Sequence, residues 1–258
     1  VPVFPQLRSG AVAQLPLQRS EAYRTLRNDL SDGRGVRMAD AGFASAEWVL
    51  QYADLTLDEV AALRTLFETV EGRLGSLTFV DPSANLLLWS DELTNAVWVK
   101  GPQLALAPAV DAFGGQAGWR ISNGSAASQV LSQTVGAPGA LTYCMSAYLR
   151  GDPPCEVNLL IGGASAVTAH AGREWRRWEA ASTGGSSGQV EFGLSVPAAT
   201  AVEACGLQVE AQPGAGVYKS TKDASGVFAN SRFDQDSLEI SQTAMGLFGC
   251  TVRVVSRI

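Results

Sequence analysis

The chain has 258 residues, of which 46% are hydrophobic and only 17% charged, with 27 Gly, 11 Pro and a formal net charge of −6. Intrinsic disorder requires the opposite balance, so a folded protein is expected. The acidic balance argues against a nucleic-acid binder, and no apolar run reaches the roughly 18 residues that cross a bilayer. No basic-then-apolar leader is read before the first predicted element. No region carries a strong net charge: residues 1–85 and 86–230 each carry 8 basic and 11 acidic side chains, and residues 231–258 carry 3 of each.

Phe4-Pro-Gln-Leu-Arg-Ser-Gly10 reads as an extended lead-in. Residues 15–30 mix apolar and polar side chains and reach Ser31-Asp-Gly-Arg-Gly35, where Asp-Gly signals a tight hairpin turn. Trp48, Leu50 and Tyr52 alternate with Glu47, Val49 and Gln51, the pattern of a strand with an aromatic face. A helix follows. Thr56 and Glu59 have capping-box spacing, and Leu55 and Val60 flank them as a hydrophobic staple. Val60, Leu63, Phe67 and Val70 form one apolar stripe, Asp58 and Glu59 suit the positive end of the helix dipole, and Gly72 is expected to end the helix. Leu77 to Val80 reads as a short strand closing on Asp81-Pro82.

From about residue 85 the texture changes. Short β-like segments at 128–135, 141–149, 157–161, 174–180, 189–196 and 203–210 are separated by Gly, Pro, Ser and Asn, with no second long helix. That spacing predicts a two-sheet sandwich or jelly roll. After Arg232-Phe-Asp-Gln-Asp236, Leu238-Glu-Ile-Ser-Gln-Thr and an alternating run over 249–258 read as two strands, too few to fold alone. The expected fold is therefore mainly β. An outer α+β domain, a small barrel or sheet with one amphipathic helix, spans 1–84 plus 231–258, and a β-sandwich spanning 85–230 is inserted into it.

Little catalytic chemistry is legible. Cys144, Cys155, Cys205 and Cys250 have no C-x-x-C spacing and read as buried thiols, with a contact between Cys144 and Cys205 left open. His170, the one histidine, lies in the loop-like Thr168-Ala-His-Ala-Gly, and no G-x-S-x-G elbow exists for it to serve. Ser182-Thr-Gly-Gly-Ser-Ser-Gly188 lacks the Lys-Ser/Thr ending of a phosphate loop and reads as a flexible turn. Asn123-Gly-Ser125 fits a glycosylation sequon, but such triplets are common by chance. Asp152, Glu156, Glu174, Glu179 and Glu191 could supply the carboxylate pair of a glycosidase, but scattered acids usually form solvated surface. No enzyme activity, cofactor or metal is expected.

Two stretches carry a family resemblance. Residues 55–72, then Gly75-Ser-Leu-Thr-Phe-Val-Asp-Pro82, Arg232-Phe233 and the strand over 252–258 resemble the N-terminal ring domain of bacteriophage distal tail proteins, the gene-transfer-agent type included. That family usually ends its last strand with an acidic residue, where this chain has Val255-Ser-Arg-Ile258. The middle piece resembles a carbohydrate-binding-like jelly roll of phage tail and fibre proteins. The match lies in Asn85-Leu-Leu-Leu-Trp-Ser-Asp-Glu-Leu-Thr-Asn-Ala-Val-Trp-Val-Lys100, Gln129-Val-Leu-Ser-Gln-Thr-Val135, Tyr143-Cys-Met-Ser-Ala-Tyr-Leu-Arg150, Glu174-Trp-Arg-Arg-Trp178, Gly206-Leu-Gln-Val-Glu210 and Tyr218-Lys-Ser-Thr221.

The resemblance implies a structural virion protein of the tail tip, assembled in the host cytoplasm. It would be a homo-oligomer, a hexameric ring between the tail tube protein and the tail hub, with an insert facing host cell-surface polysaccharide. The alternative is a free-standing, non-catalytic carbohydrate-binding protein. Arg34 and Arg37, in an arginine-rich stretch with Arg19, Arg24 and Arg27, are candidates for the ring interface. Sugars stack on aromatic faces, which makes Trp119, Trp89 and Trp175 the glycan candidates. Trp119, among small residues, is expected to be the most exposed. Trp98 and one of Trp175 and Trp178 are expected in the core.

Overall fold

The fold is that of a computed structural model whose described residues are 1–40 and 42–258. In chain order the elements are β1 (Gln18–Asp29), β2 (Gly35–Leu55), α1 (Leu57–Thr69), β3 (Leu77–Val80), β4 (Val99–Lys100), β5 (Leu104–Ala109), β6 (Gly118–Asn123), β7 (Gln129–Val135) and β8 (Thr142–Arg150). They continue as β9 (Cys155–Ile161), β10 (Ala164–Ala171), β11 (Arg176–Thr183), β12 (Val190–Val196), β13 (Thr200–Glu210), β14 (Val227–Phe233), β15 (Ile240–Ala244) and β16 (Leu247–Arg257). The chain divides into two compact units: Val1–Arg8, Ala13–Phe79 and Phe228–Ile258 form the first, and Ser9–Val12 with Val80–Val227 the second. The breaks fall at 79/80 and 227/228, not at 84/85 and 230/231, and residues 9–12 go with the second unit.

The first unit is a sheet in the order β1-β2-β16-β14-β3, with β15 paired to β16. Along the lower half of β2 the alternation holds: Ala46, Trp48, Leu50 and Tyr52 are buried. Trp48 meets Phe79 and Phe228 with ring centroids 4.9 and 4.8 Å apart, and Phe4 meets Phe79 at 5.4 Å. The helix closes this core with Val60, Leu63 and Leu66, and Phe67 reaches Phe233 of β14 at 5.1 Å. Its capping box is complete: Glu59 N donates to Thr56 Oγ1 at 3.5 Å, and Thr56 N donates to Glu59 Oε2 at 2.8 Å. The helix ends at Thr69, earlier than Gly72. That glycine then takes the left-handed φ of 61° and returns its N–H to the Phe67 carbonyl. The Arg232-Phe233 pair has a physical purpose here: Arg232 donates to the Leu74 carbonyl while Phe233 fills the core.

The second unit is a sandwich of two five-stranded sheets, β10-β9-β12-β7-β4 and β11-β8-β13-β6-β5. Tyr143 of β8 meets Phe192 of β12 across the layers at 5.4 Å, amid fully buried Leu131, Met145, Leu149, Leu159, Leu194 and Val202. One expectation needs correcting and two open readings are resolved. His170 is in strand β10, not a loop, with Nδ1 3.1 Å from Glu156 Oε1 on the neighbouring strand. Asn123 is buried and its amide donates to the carbonyls of Ala127, Val196 and Pro197, so it is closed to a glycan-transferring enzyme. Cys144 lies opposite Glu210 and Cys205 opposite Tyr148, too far apart in register to pair, and all four cysteines are free. Burial pushes the Cys144 thiol up to about 12 and the Cys205 thiol up to about 11, so both stay protonated and inert at neutral pH.

Candidate functional site

The three tryptophans proposed for sugar contact are all half-buried and held by different local contacts. Trp119 is half-buried in β6, and its indole N–H donates to the Asp91 carbonyl at 2.9 Å. It pairs with inward-facing Ala204, which corrects the expectation of an exposed ring. Trp89 is half-buried with a left-handed φ of 50°, unusual for a bulky side chain. The strained turn aims its carbonyl at both Glu92 N and the Trp98 indole N–H, so Trp89 organises the chain locally. Trp98 is buried as expected, but Trp175 and Trp178 are both half-buried.

Trp175 is the one with polar company. In the second sheet of the sandwich, Glu203 of β13 stands directly opposite Arg120 of β6 on one side and Arg150 of β8 on the other. Period-two alternation sends these three side chains away from the core that Val202 and Ala204 fill. Since Arg176 pairs with Leu149, Trp175 extends the same row past the start of β11. The Arg150 guanidinium lies 4.7 Å from the Trp175 ring centroid, and its Nε donates to Glu203 Oε2 at 2.9 Å. Arg120, Arg150, Asp152, Arg173, Ala201 and Glu203 line a cleft of about 340 Å³ at this row. The arginines carry no distinctive motif, and the cluster exists only once register brings three strands together.

One row further along the same face, Tyr148 meets Phe113 at 5.1 Å and Arg177 at 5.6 Å. Phe113 is held by a loop wound around Asp111, whose carboxylate accepts the N–H groups of Phe113, Gly115 and Ala117 at 2.8, 2.9 and 3.1 Å. Burial pushes the Asp111 carboxyl up, but these backbone donors outweigh it and hold its pKa below the ordinary value. A depressed folded-state pKa contributes stability above the unfolded value of about 3.9, and that stability is lost as pH falls through the folded value. The loop should therefore lose hydrogen-exchange protection below about pH 4, and Asp111→Asn should remove that protection at pH 7. A wild-type loop equally protected on both sides of that range would refute the assignment.

In the first unit, Arg34 and Arg37 lie on a hairpin arm. Gly33 supplies the left-handed φ of 82° that the turn needs, and Leu30 and Arg34 close it with a 2.7 Å hydrogen bond. Arg34 sits at the tip with Nε 3.4 Å from Asp32, and Arg37 pairs in register with Arg27. Every residue of β1 is exposed. One face of the arm carries the direct pair Leu26–Met38 with Val36 and the Arg24–Asp40 ion pair; the other carries Thr25, Arg27, Asp29, Arg37 and Ala39.

A larger hollow of about 950 Å³ in this unit is walled by residues that include Gln14, Gln51, Glu239, Ser241, Cys250 and Arg253. Among the described residues, no group of three His, Cys, Asp or Glu side chains is placed to hold a metal ion, and no helix is long and apolar enough to cross a membrane.

No family model and no curated protein matches the chain. Among solved structures, the xylan-binding CBM22-1 domain of Paenibacillus barcinonensis Xyn10C is 13% identical, covering 53% of this chain and 97% of that one, with a TM-score of 0.41. TmCBM61, solved with β-1,4-galactotriose, is 19% identical over 49% of this chain and 98% of that one, at a TM-score of 0.39. The enzymatically active domain of bacteriophage CBA120 tailspike protein 4 is 12% identical over 55% of this chain and 23% of that one, at a TM-score of 0.38.

Proposed function

We propose that the chain is a structural subunit of a phage tail tip that packs against copies of itself through the β1–β2 arm and presents a glycan-binding sandwich. The observation that carries this reading is the arm. A two-stranded hairpin alone in water is marginal at best, yet this one leaves Leu26, Val36 and Met38 uncovered on one face and an unpaired sheet edge along β1. Its other face places Arg37 directly opposite Arg27, whose charge Asp29 offsets at 2.9 Å. Residues 18–43 hold five arginines against four carboxylates, within a chain of net charge −6. The rest of the chain carries the acidic excess, so a second copy offers net negative charge to the arm. The protein should therefore run in mass photometry as an oligomer, six times 27.1 kDa for the hexameric ring. Leu26→Asp combined with Met38→Asp should return it to single chains with an unchanged circular dichroism spectrum. A wild-type protein that stays monomeric at every concentration would overturn the ring reading.

The row of Arg120, Glu203, Arg150 and Trp175 favours the second reading, a non-catalytic glycan-binding protein acting alone. An aromatic ring beside fixed charged groups suits a pyranose with its hydroxyls. The two readings share the sandwich and part at oligomeric state, because six copies in one ring would multiply a weak single-site affinity.

A further inference from the structure

The cleft beside Trp175 holds three guanidinium groups and two carboxylates. Glu203 serves two of the arginines. Arg150 takes most of it, through Nε at 2.9 Å and Nη2 at 2.5 Å on the same oxygen. Stacking on Trp175 fixes the plane of that guanidinium. Arg120 is left with Glu203 Oε1 at 3.8 Å, beyond hydrogen-bond range. Arg173 and Asp152 pair with each other at 3.2 Å on the rim, where both are largely exposed. One positive charge is therefore unbalanced within the cleft, and Arg120, half-exposed, is the guanidinium least engaged by a carboxylate. Ala201 on β13 contributes only a methyl group, which leaves the cleft its volume of about 340 Å³, at the small end of the range for ligand pockets.

We infer that this cleft binds an acidic pyranose, the uronate unit of a polysaccharide, with the sugar carboxylate on the Arg120 fork and its hydroxyls within reach of the remaining Arg150 donors. A planar carboxylate matches a guanidinium bidentately and balances the third arginine. A neutral sugar leaves that charge uncompensated. In a chain of net charge −6, such a spot is also a local exception that draws anions from solution. The inference rests on the reading of the sandwich as a glycan-binding surface.

Affinity electrophoresis of the full chain in gels containing polygalacturonate, neutral dextran or dextran sulfate tests it. Polygalacturonate should retard the protein most, and raising salt from about 50 mM to about 0.5 M should weaken the retardation. Arg120→Ala should weaken binding by roughly tenfold, the equivalent of about 1.4 kcal/mol. Ala201→Leu, which fills the cleft without touching a charge, should do the same. Both variants should keep the wild-type melting temperature. Dextran binding that survives Arg120→Ala overturns the acidic-sugar assignment and leaves the glycan reading standing. Equal retardation by dextran sulfate overturns the choice of carboxylate. No retardation in any gel overturns both the inference and the glycan reading.

Discussion

Replacing Asn85 with Ala should destabilise the sandwich unit by about 3–4 kcal/mol, among the larger single-residue effects in the chain. Asn85 is buried, and its amide bonds in four directions. Nδ2 donates to the carbonyls of Leu207 and Lys219, both at 3.0 Å, and Oδ1 accepts from Leu87 N and Val209 N, both at 3.1 Å. Truncation removes all four bonds and leaves backbone donors and acceptors stranded away from water, which costs more than the bonds themselves contribute. Asn85→Asp should be no milder, since it keeps the acceptor, loses the donor and buries a charge. Hydrogen exchange of β8 and β13 under native conditions reads the effect without assuming that the two units unfold together. A loss below about 1 kcal/mol would mean that water enters and replaces the side chain.

The same residue shows how far the sequence could be read. The stretch from Asn85 to Glu92 is distinctive because nearly every polar member binds one distant segment: Ser90 Oγ accepts from Thr221 N and lies 2.9 Å from the Tyr218 hydroxyl, and that hydroxyl donates to Asp91 at 2.5 Å. The residues were legible, but partners roughly 130 positions away were not. Elements with a local signal appeared as expected. The alternation over Trp48 to Tyr52, the capping box and strands β7, β8, β9, β11, β12 and β13 each follow from spacing that one face of a core imposes.

The missed strands lack that signal. β5, Leu-Ala-Leu-Ala-Pro-Ala, is poor in β-branched residues and tolerates Pro108 because it is an edge strand. β10 is also an edge, and its Ala-His-Ala reads as loop although both alanines are buried. β1 shows no periodicity because neither face is buried. Trp119 was misjudged for a related reason: its small neighbours imply freedom, but the carbonyl that holds it belongs to Asp91. The Arg120–Glu203–Arg150 row was invisible for the deepest reason, since it is a product of register across three strands and no linear pattern encodes it.

Replacing Trp48 with Ala should cost the first unit about 3–5 kcal/mol, the range for emptying a large aromatic site. The ring is fully buried between Phe79 and Phe228. Its indole N–H is also buried, with no hydrogen-bond partner among the described residues. An unpaired buried donor is itself a penalty of about 1–3 kcal/mol. Trp48→Phe deletes that donor along with part of the ring, so the two changes offset and the net loss should stay under about 1.5 kcal/mol. Equal losses for Phe and Ala would show that water or a shifted neighbour satisfies the indole. The pair of variants also separates stability from assembly. Trp48 and the arm belong to one continuous strand, β2, buried alternately at its base and exposed toward its tip. Trp48→Ala loosens the base from which the arm extends and should lower the oligomer fraction in mass photometry along with stability. Trp48→Phe keeps the base packed and should leave assembly unchanged, whereas the Asp substitutions at Leu26 and Met38 should abolish assembly and leave the unit's stability intact. That pattern requires the arm to be the contact and the Trp48 core to be its foundation.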